Sequence, residues 1–195
     1  MKDFTRQNPR FSLCGLNCAL CPMHISGACP GCGGGAGNQS CSLARCSREH
    51  DSVEYCFLCP DYPCSRLESI DAFDSFIPHS RMKTDMEKAR RLGLEPYQAE
   101  LDEKRRILDE LLGNYNDGRK KSLFCLAVYL LDLPDLRAVM AELTAAIAES
   151  TPPGEKAALA AARIHAAADR RQIELKLRKK PKKPEKSPPA DLSHG

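Results

Sequence analysis

The chain has 195 residues and a formal net charge of +3, and 28% of its residues are charged. Its apolar share of 42% is enough for a modest core, and no stretch approaches the roughly 18 apolar residues that span a bilayer. The amino terminus lacks the apolar segment of a secretory signal. We therefore expect a cytoplasmic protein of one domain, or of one domain with a small appendage.

Cysteine is the most informative residue type, because the chain has eleven and ten of them fall between residues 14 and 64. A reducing cytoplasm favours thiolates that bind metal over disulfides. The odd count also excludes a complete set of intramolecular disulfides. The predicted metal ligands are Cys14, Cys18, Cys21, Cys29, Cys32, Cys41, Cys46, Cys56, Cys59 and Cys64.

The spacing of these cysteines is typical of metal sites. Residues 14–21 form a C-x3-C-x2-C run, and residues 29–32 and 56–59 are C-x2-C pairs. A C-x2-C turn lets two sulfurs converge on one ion while backbone amides point at the thiolates. A glycine-rich connector joins two cysteine pairs that together favour one closed tetrahedral zinc site. This predicted quartet is Cys29, Cys32, Cys41 and Cys46.

The remaining six thiols allow a second four-thiolate zinc site or a 4Fe-4S cluster. The three cysteines of residues 14–21 leave one coordination position unfilled, so we expect them to lie beside at least one of Cys56, Cys59 and Cys64. His24 and His50 are close enough in sequence to replace a thiolate, although a histidine near a cysteine cluster is more often a bystander.

We identify no catalytic constellation in the sequence. The C-x3-C-x2-C spacing also occurs in radical S-adenosylmethionine enzymes, but these need alternating strands and helices after the motif, and this chain offers only helical patterns. Residues 33–37 are glycine-rich, but no Gly-Lys-Ser/Thr follows them, which excludes a phosphate-binding loop. An enzyme is therefore the less expected interpretation.

The second part of the chain has helical periodicity. Leu67, Ile70, Phe73 and Ile77 predict a helix that begins at Ser65. Further helices are predicted up to a stop at residue 93, over 96–113, over 122–131 as the buried central helix, and over 134–147. An alanine-rich helix with a weak apolar stripe follows, and the sequence leaves open whether it packs on the others or projects from them.

The predicted fold is a small irregular Cys-rich metal-stabilised module followed by an all-α helical domain. The segments are a polar lead-in (1–13), the Cys-rich module (14–64), the helical domain (65–149), an Ala/Lys/Arg-rich helix (150–180) and a disordered tail (181–195). Fifty residues of this composition bury too little apolar surface to fold alone, so metal binding is expected to supply folding free energy.

The positive charge is concentrated near the carboxyl end. Residues 163–186 contain ten Lys or Arg against three Asp or Glu. Such a segment contacts anions in some proteins and is simply solvated in others. Nucleic acid is therefore one candidate partner.

The order of cysteine spacings resembles one bacterial and archaeal family. The matching residues are Cys14-Gly15-Leu16, Cys18, Cys21-Pro22, Cys29, Gly31-Cys32, Cys41, Leu43, Cys46, Cys56, Cys59, Pro63-Cys64 and Leu67. Tyr62 departs from the family pattern, which has phenylalanine there, and the departure leaves the ligands untouched. The family is "domain of unknown function 3795", and the resemblance spans roughly residues 14–145. It implies a cysteine-rich metal-binding protein, usually supposed to bind zinc, without an established reaction.

The resemblance also extends to residues 116–127, which include Asp117-Gly118-Arg119 and Cys125. The polar triplet is either a turn that leads into a helix or a charged rim over the metal module. Cys125 is either a small buried apolar residue or a thiol that faces the metal module.

These patterns predict a metal-binding protein, with zinc favoured over a 4Fe-4S cluster, that acts as an interaction module for a protein partner. One alternative is an iron–sulfur redox or accessory protein that transfers electrons, sulfur or metal to an enzyme. The other is a zinc-knuckle protein that binds nucleic acid. The second alternative is weakened by the few aromatic residues available for base stacking within residues 14–64.

Overall fold

The computed structural model describes residues 4–35, 41–148 and 150–181. Within these ranges the chain is helical, and the only β-pairing is an isolated bridge between Thr5 and Gly34. The α-helices are α1 (Pro22–Ile25), α2 (Ser42–Glu49), α3 (Met82–Leu92), α4 (Leu94–Asn114), α5 (Lys121–Leu130), α6 (Leu133–Ala146) and α7 (Pro153–Arg170). None of the helices in the described ranges is both long enough and apolar enough to cross a bilayer.

The helical body is built around α5, as its apolar sequence predicts. Phe124, Ala127 and Val128 are fully buried, and α5 packs against α4 and α7. The predicted helices over 96–113 and 134–147 correspond to α4 and α6, and Gly93 ends α3 with a φ of +92°. The all-α prediction is confirmed for the described part of this region.

The alanine-rich segment packs onto the other helices. Ala160, Ile164 and Ala167 of α7 have no exposed surface, and α7 contacts α6, α5 and α4. Alanine side chains let helix backbones approach closely, so an apolar stripe that looks weak in the sequence still forms a buried face. The predicted disordered tail lies outside the described residues apart from Pro181.

The predicted helix that begins at Ser65 is wrong beyond its first turn. A 3-10 turn covers Ser65–Leu67, and the chain then runs through turns and bends until α3. The Asp74 carboxylate accepts hydrogen bonds from the backbone N–H groups of His79 and Arg178, each at 2.7 Å. Such bonds compete with helical ones, and Pro78 cannot donate a backbone hydrogen bond.

Residues that the sequence suggested to be a polar lead-in contribute to the core. Phe4, Phe11 and Leu13 are each less than 10% exposed, and the Phe11 ring lies 4.9 Å from that of Tyr97 in α4. Leu20 in the Cys-rich segment belongs to the same apolar cluster as the helices. The helices therefore supply the apolar surface that the Cys-rich segment lacks by itself.

A buried polar network joins the loop between Cys14 and Cys18 to the helical body. The Asn17 amide donates to the Asp85 carboxylate at 2.8 Å and accepts from the Tyr97 hydroxyl at 3.1 Å. Asp85 is 3% exposed, and this burial raises the pKa of its carboxyl to about 6, against the lowering effect of Arg81 and Lys104. The effect of desolvation on the pKa of Asp85 therefore outweighs the opposite effect of the nearby cations.

Asp85→Asn is expected to change how stability depends on pH. The pKa of Asp85 is about 6 in the folded chain against 3.8 for an unperturbed Asp, so its contribution is fully present below about pH 4 and is lost as the pH rises through 6. The wild type should lose on the order of 3 kcal/mol of unfolding free energy relative to Asp85→Asn across that window. Urea unfolding of both proteins at a series of pH values checks this. Parallel profiles would contradict it.

Candidate metal centre

Four cysteine side chains from two parts of the Cys-rich segment line one small cavity. Cys46 lies on α2, Cys56 begins the 3-10 turn Cys56–Leu58, Cys59 follows that turn, and Cys64 comes five residues after Cys59. The cavity has a volume of about 30 Å³, which is room for a single ion or one to two water molecules. It is lined by Leu13, Leu43, Cys46, Ser47, His50, Val53, Cys56, Cys59, Tyr62 and Cys64.

Local backbone geometry positions these thiols. The Cys59 N–H donates to the Cys56 carbonyl at 3.1 Å, which closes the tight turn that a C-x2-C pair predicts. The Cys56 N–H donates to the Leu13 carbonyl at 2.9 Å, which brings the turn against the residue before Cys14. We call the four thiols of Cys46, Cys56, Cys59 and Cys64 the interior group.

Electrostatics in the interior group disfavour free thiolates. Burial, followed by the neighbouring thiolates of Cys14, Cys64, Cys46 and Cys59, raises the pKa of Cys56 to about 12. Like charges in a buried site repel one another, so the Cys56 thiol is neutral unless a cation binds. Metal binding would therefore release protons.

The remaining predicted ligands surround the first cysteine run. Burial and the neighbouring thiolates of Cys32 and Cys41 raise the pKa of Cys14 to about 11. Burial, Cys32 and Cys14 raise the pKa of Cys18 to about 12. Burial also raises the pKa of Cys21, next to Cys29, whereas backbone N–H groups of α1 lower it.

The predicted quartet of Cys29, Cys32, Cys41 and Cys46 stays a prediction. Cys32 lies near Cys14 and Cys18, and Cys46 lines the cavity of the interior group. Cys14 lies near Cys56, as expected for an approach of the first run to the last cysteines. Which thiols share an ion stays a prediction.

One further cluster has the composition of a metal site. The ligand atoms of His50, Cys59 and Asp61 all lie within 4.8 Å of one another, and no other three His, Cys, Asp or Glu residues in the described ranges do so. Sulfurs on a zinc ion at about 2.3 Å lie about 3.8 Å apart, so the interior thiols would need to move closer together around an ion.

The other candidates have structural partners. The His24 imidazole is hydrogen-bonded to the Cys29 carbonyl at 2.9 Å. Cys125 is buried on α5 near Cys21. The Asp117 carboxylate accepts from the Arg119 N–H at 3.0 Å in an exposed turn before α5, which matches the turn interpretation.

Two important residues were missed by sequence reasoning. Asp61 is one, although its position two residues after Cys59 could have suggested it. Arg6 is the other, and its side chain is only 2% exposed. Its guanidinium donates to the carbonyls of Glu54 at 2.6 Å and Phe11 at 2.9 Å and lies 4.9 Å from the Tyr55 ring.

Comparisons with protein-family models, curated proteins and solved structures found no match to the chain. The family resemblance described above stays a prediction.

Arg6→Lys is expected to destabilise the fold by about 2–4 kcal/mol, because a lysine ammonium cannot reproduce the planar fork that reaches two carbonyls and a carboxylate. Chemical unfolding measures the loss. Arg10→Lys is the control, because Arg10 pairs with Asp102 at 2.6 Å with both side chains more than 40% exposed, and it should cost less than about 1 kcal/mol. Equal losses of unfolding free energy in the two variants would contradict the structural role given to Arg6.

Gly15→Ala should be much more costly than Gly27→Ala. Gly15 lies between Cys14 and Cys18 with a φ of +89°, and a Cβ there would meet the Met82 carbonyl oxygen at 2.3 Å. Gly27 has a φ of +75° and no atom within 4 Å, so its substitution carries only the left-handed penalty of about 1–2 kcal/mol. Thermal melting of both variants tests whether the first cysteine loop is packed against α3.

Proposed function

We propose that this chain is a zinc-binding protein in which Cys46, Cys56, Cys59 and Cys64 hold one ion. The observation that carries the proposal is that these four thiols line a single cavity of ion-sized volume. Four thiolates around Zn²⁺ make a closed tetrahedral site. Such a site supports structure and leaves no coordination position for substrate.

The surroundings of the cavity favour a structural role for the ion. Leu13, Leu43 and Val53 line the cavity beside the thiols, and Leu13 and Leu43 belong to the main apolar core. An ion held there would fix α2 to the turn at Cys56–Leu58. Metal binding and packing would then stabilise the same region.

The role is best described as an interaction module for a protein partner in a reducing compartment such as the cytoplasm. An ion held by four thiolates leaves no coordination position for substrate, which favours a binding role over a catalytic one. Nucleic acid is the weaker candidate, because Arg163, Arg171 and Arg178 of the basic segment pair with carboxylates of the helical body and its loops.

Metal analysis of anaerobically purified protein tests the proposal. Cys46→Ser and Cys64→Ser are each expected to lose one tightly bound zinc per chain, with affinity at that site reduced at least about 100-fold, since even residues behind the ligands contribute 10–100-fold. The melting temperature should fall with the metal content.

Cys125→Ala is the matched control, because it removes a buried thiol that lies outside the interior group, and it should keep the full zinc content. Unchanged zinc in both serine variants would contradict the proposal. A coloured protein whose visible absorption is lost in those variants would instead assign an iron–sulfur cluster to the same thiols.

A further inference from the structure

A second set of metal-binding atoms lies at the mouth of the proposed zinc site. The cluster of His50, Cys59 and Asp61, here called the rim group, has all three ligand atoms within 4.8 Å of one another. The His50 Nε2 and Asp61 Oδ2 atoms are 3.1 Å apart, and their side chains are 33% and 66% exposed. The rim group is thus accessible from solvent.

The histidine is already oriented for coordination through Nε2. Its Nδ1 atom lies 2.8 Å from the Cys46 carbonyl oxygen, so Nδ1 carries the proton and donates to that carbonyl. This leaves Nε2 facing the Asp61 carboxylate. A histidine that donates through one ring nitrogen to a backbone carbonyl and binds metal through the other is the usual arrangement at zinc sites.

Two residues connect the rim group to the interior group. Cys59 belongs to both sets, and His50 also lines the cavity. An ion bound at the rim can therefore enter the interior while Cys59 stays bound. His50, Asp61 and one water molecule are then exchanged for the other three thiols. The exchange involves no electron transfer.

We propose that His50, Cys59 and Asp61 form an entry site that captures Zn²⁺ from solvent and passes it to the four interior thiols. This inference rests on the proposed function of the interior group. One proton leaves the Cys59 thiol when the ion binds at the rim. Three more protons leave Cys46, Cys56 and Cys64 as their sulfurs replace the nitrogen, the carboxylate oxygen and any remaining water.

The rim group and the interior group differ in exposure and in ligand type, as loading of the ion in two steps requires. Aqueous zinc is fully hydrated, and nitrogen and oxygen ligands at an exposed site can replace its water one at a time. The interior cavity is lined mostly by thiols and apolar side chains and offers little to a hydrated ion. A route through the rim group lets the ion lose water before it reaches the interior thiols.

The experiment measures rates and equilibrium on the zinc-loaded protein. Asp61→Asn should slow both zinc transfer to a chelator and zinc uptake by about 10-fold, and His50→Ala should slow zinc uptake by a similar factor. Because an entry site changes the route without changing its end points, Asp61→Asn, at a residue outside the lining of the interior cavity, should keep the wild-type zinc content and equilibrium dissociation constant. A purely structural role for Asp61 would instead weaken binding and speed release.

Two controls match the substitutions in chemistry. Asp51→Asn removes a neighbouring exposed carboxylate, and His165→Ala removes an exposed imidazole on α7. Both should leave the rates unchanged. Wild-type rates or faster release in Asp61→Asn, or wild-type uptake in His50→Ala, would overturn the entry site alone, whereas a wild-type protein without tightly bound zinc would overturn the proposed function together with it.

Discussion

The buried guanidinium of Arg6 holds the Cys-rich segment together. It donates to the carbonyl of Phe11, just before the segment, and to that of Glu54 within it, and it reaches the Cys32 carbonyl at 3.4 Å. The Glu54 carboxylate in turn accepts the backbone N–H of Asn8 at 3.0 Å. The position of Cys56, two residues after Glu54, therefore depends on a side chain near the amino terminus, and so does the geometry of the interior group.

Packing and the proposed metal binding would make separate contributions to this arrangement. The helices bury Phe11, which precedes the Cys-rich segment, against Tyr97, and they hold Asn17 of that segment through a hydrogen bond to Asp85. These contacts fix the loops but leave buried thiols whose charged forms repel one another. A divalent cation is the component that makes such a set of thiolates favourable. The fold thus accounts for where the thiols lie, and the proposed ion for why they are there.

Sequence patterns predicted what is decided locally. The apolar run at 122–131 and the periodic segment at 134–147 correspond to α5 and α6, because a long amphipathic or buried helix needs little information from elsewhere. The helix prediction for the region after Leu67 was wrong because Asp74 is bound by Arg178, which is 104 residues away. Arg6 was overlooked for the same reason, since its partner Glu54 is 48 residues distant. The grouping of the thiols in space also depends on such long-range contacts, which the spacing of the cysteines in the sequence does not contain.

The end of α2 relates the two proposed sites to each other. Cys46 and His50 are separated by four residues, about one helical turn, so one helix presents an interior thiol and a rim imidazole to the same turn at Cys59. The hydrogen bond from His50 to the Cys46 carbonyl ties the imidazole to the same residue. Because Cys59 belongs to both groups, an ion held in the interior would engage one of the three rim ligands. The site through which the ion came would then bind a second ion less tightly.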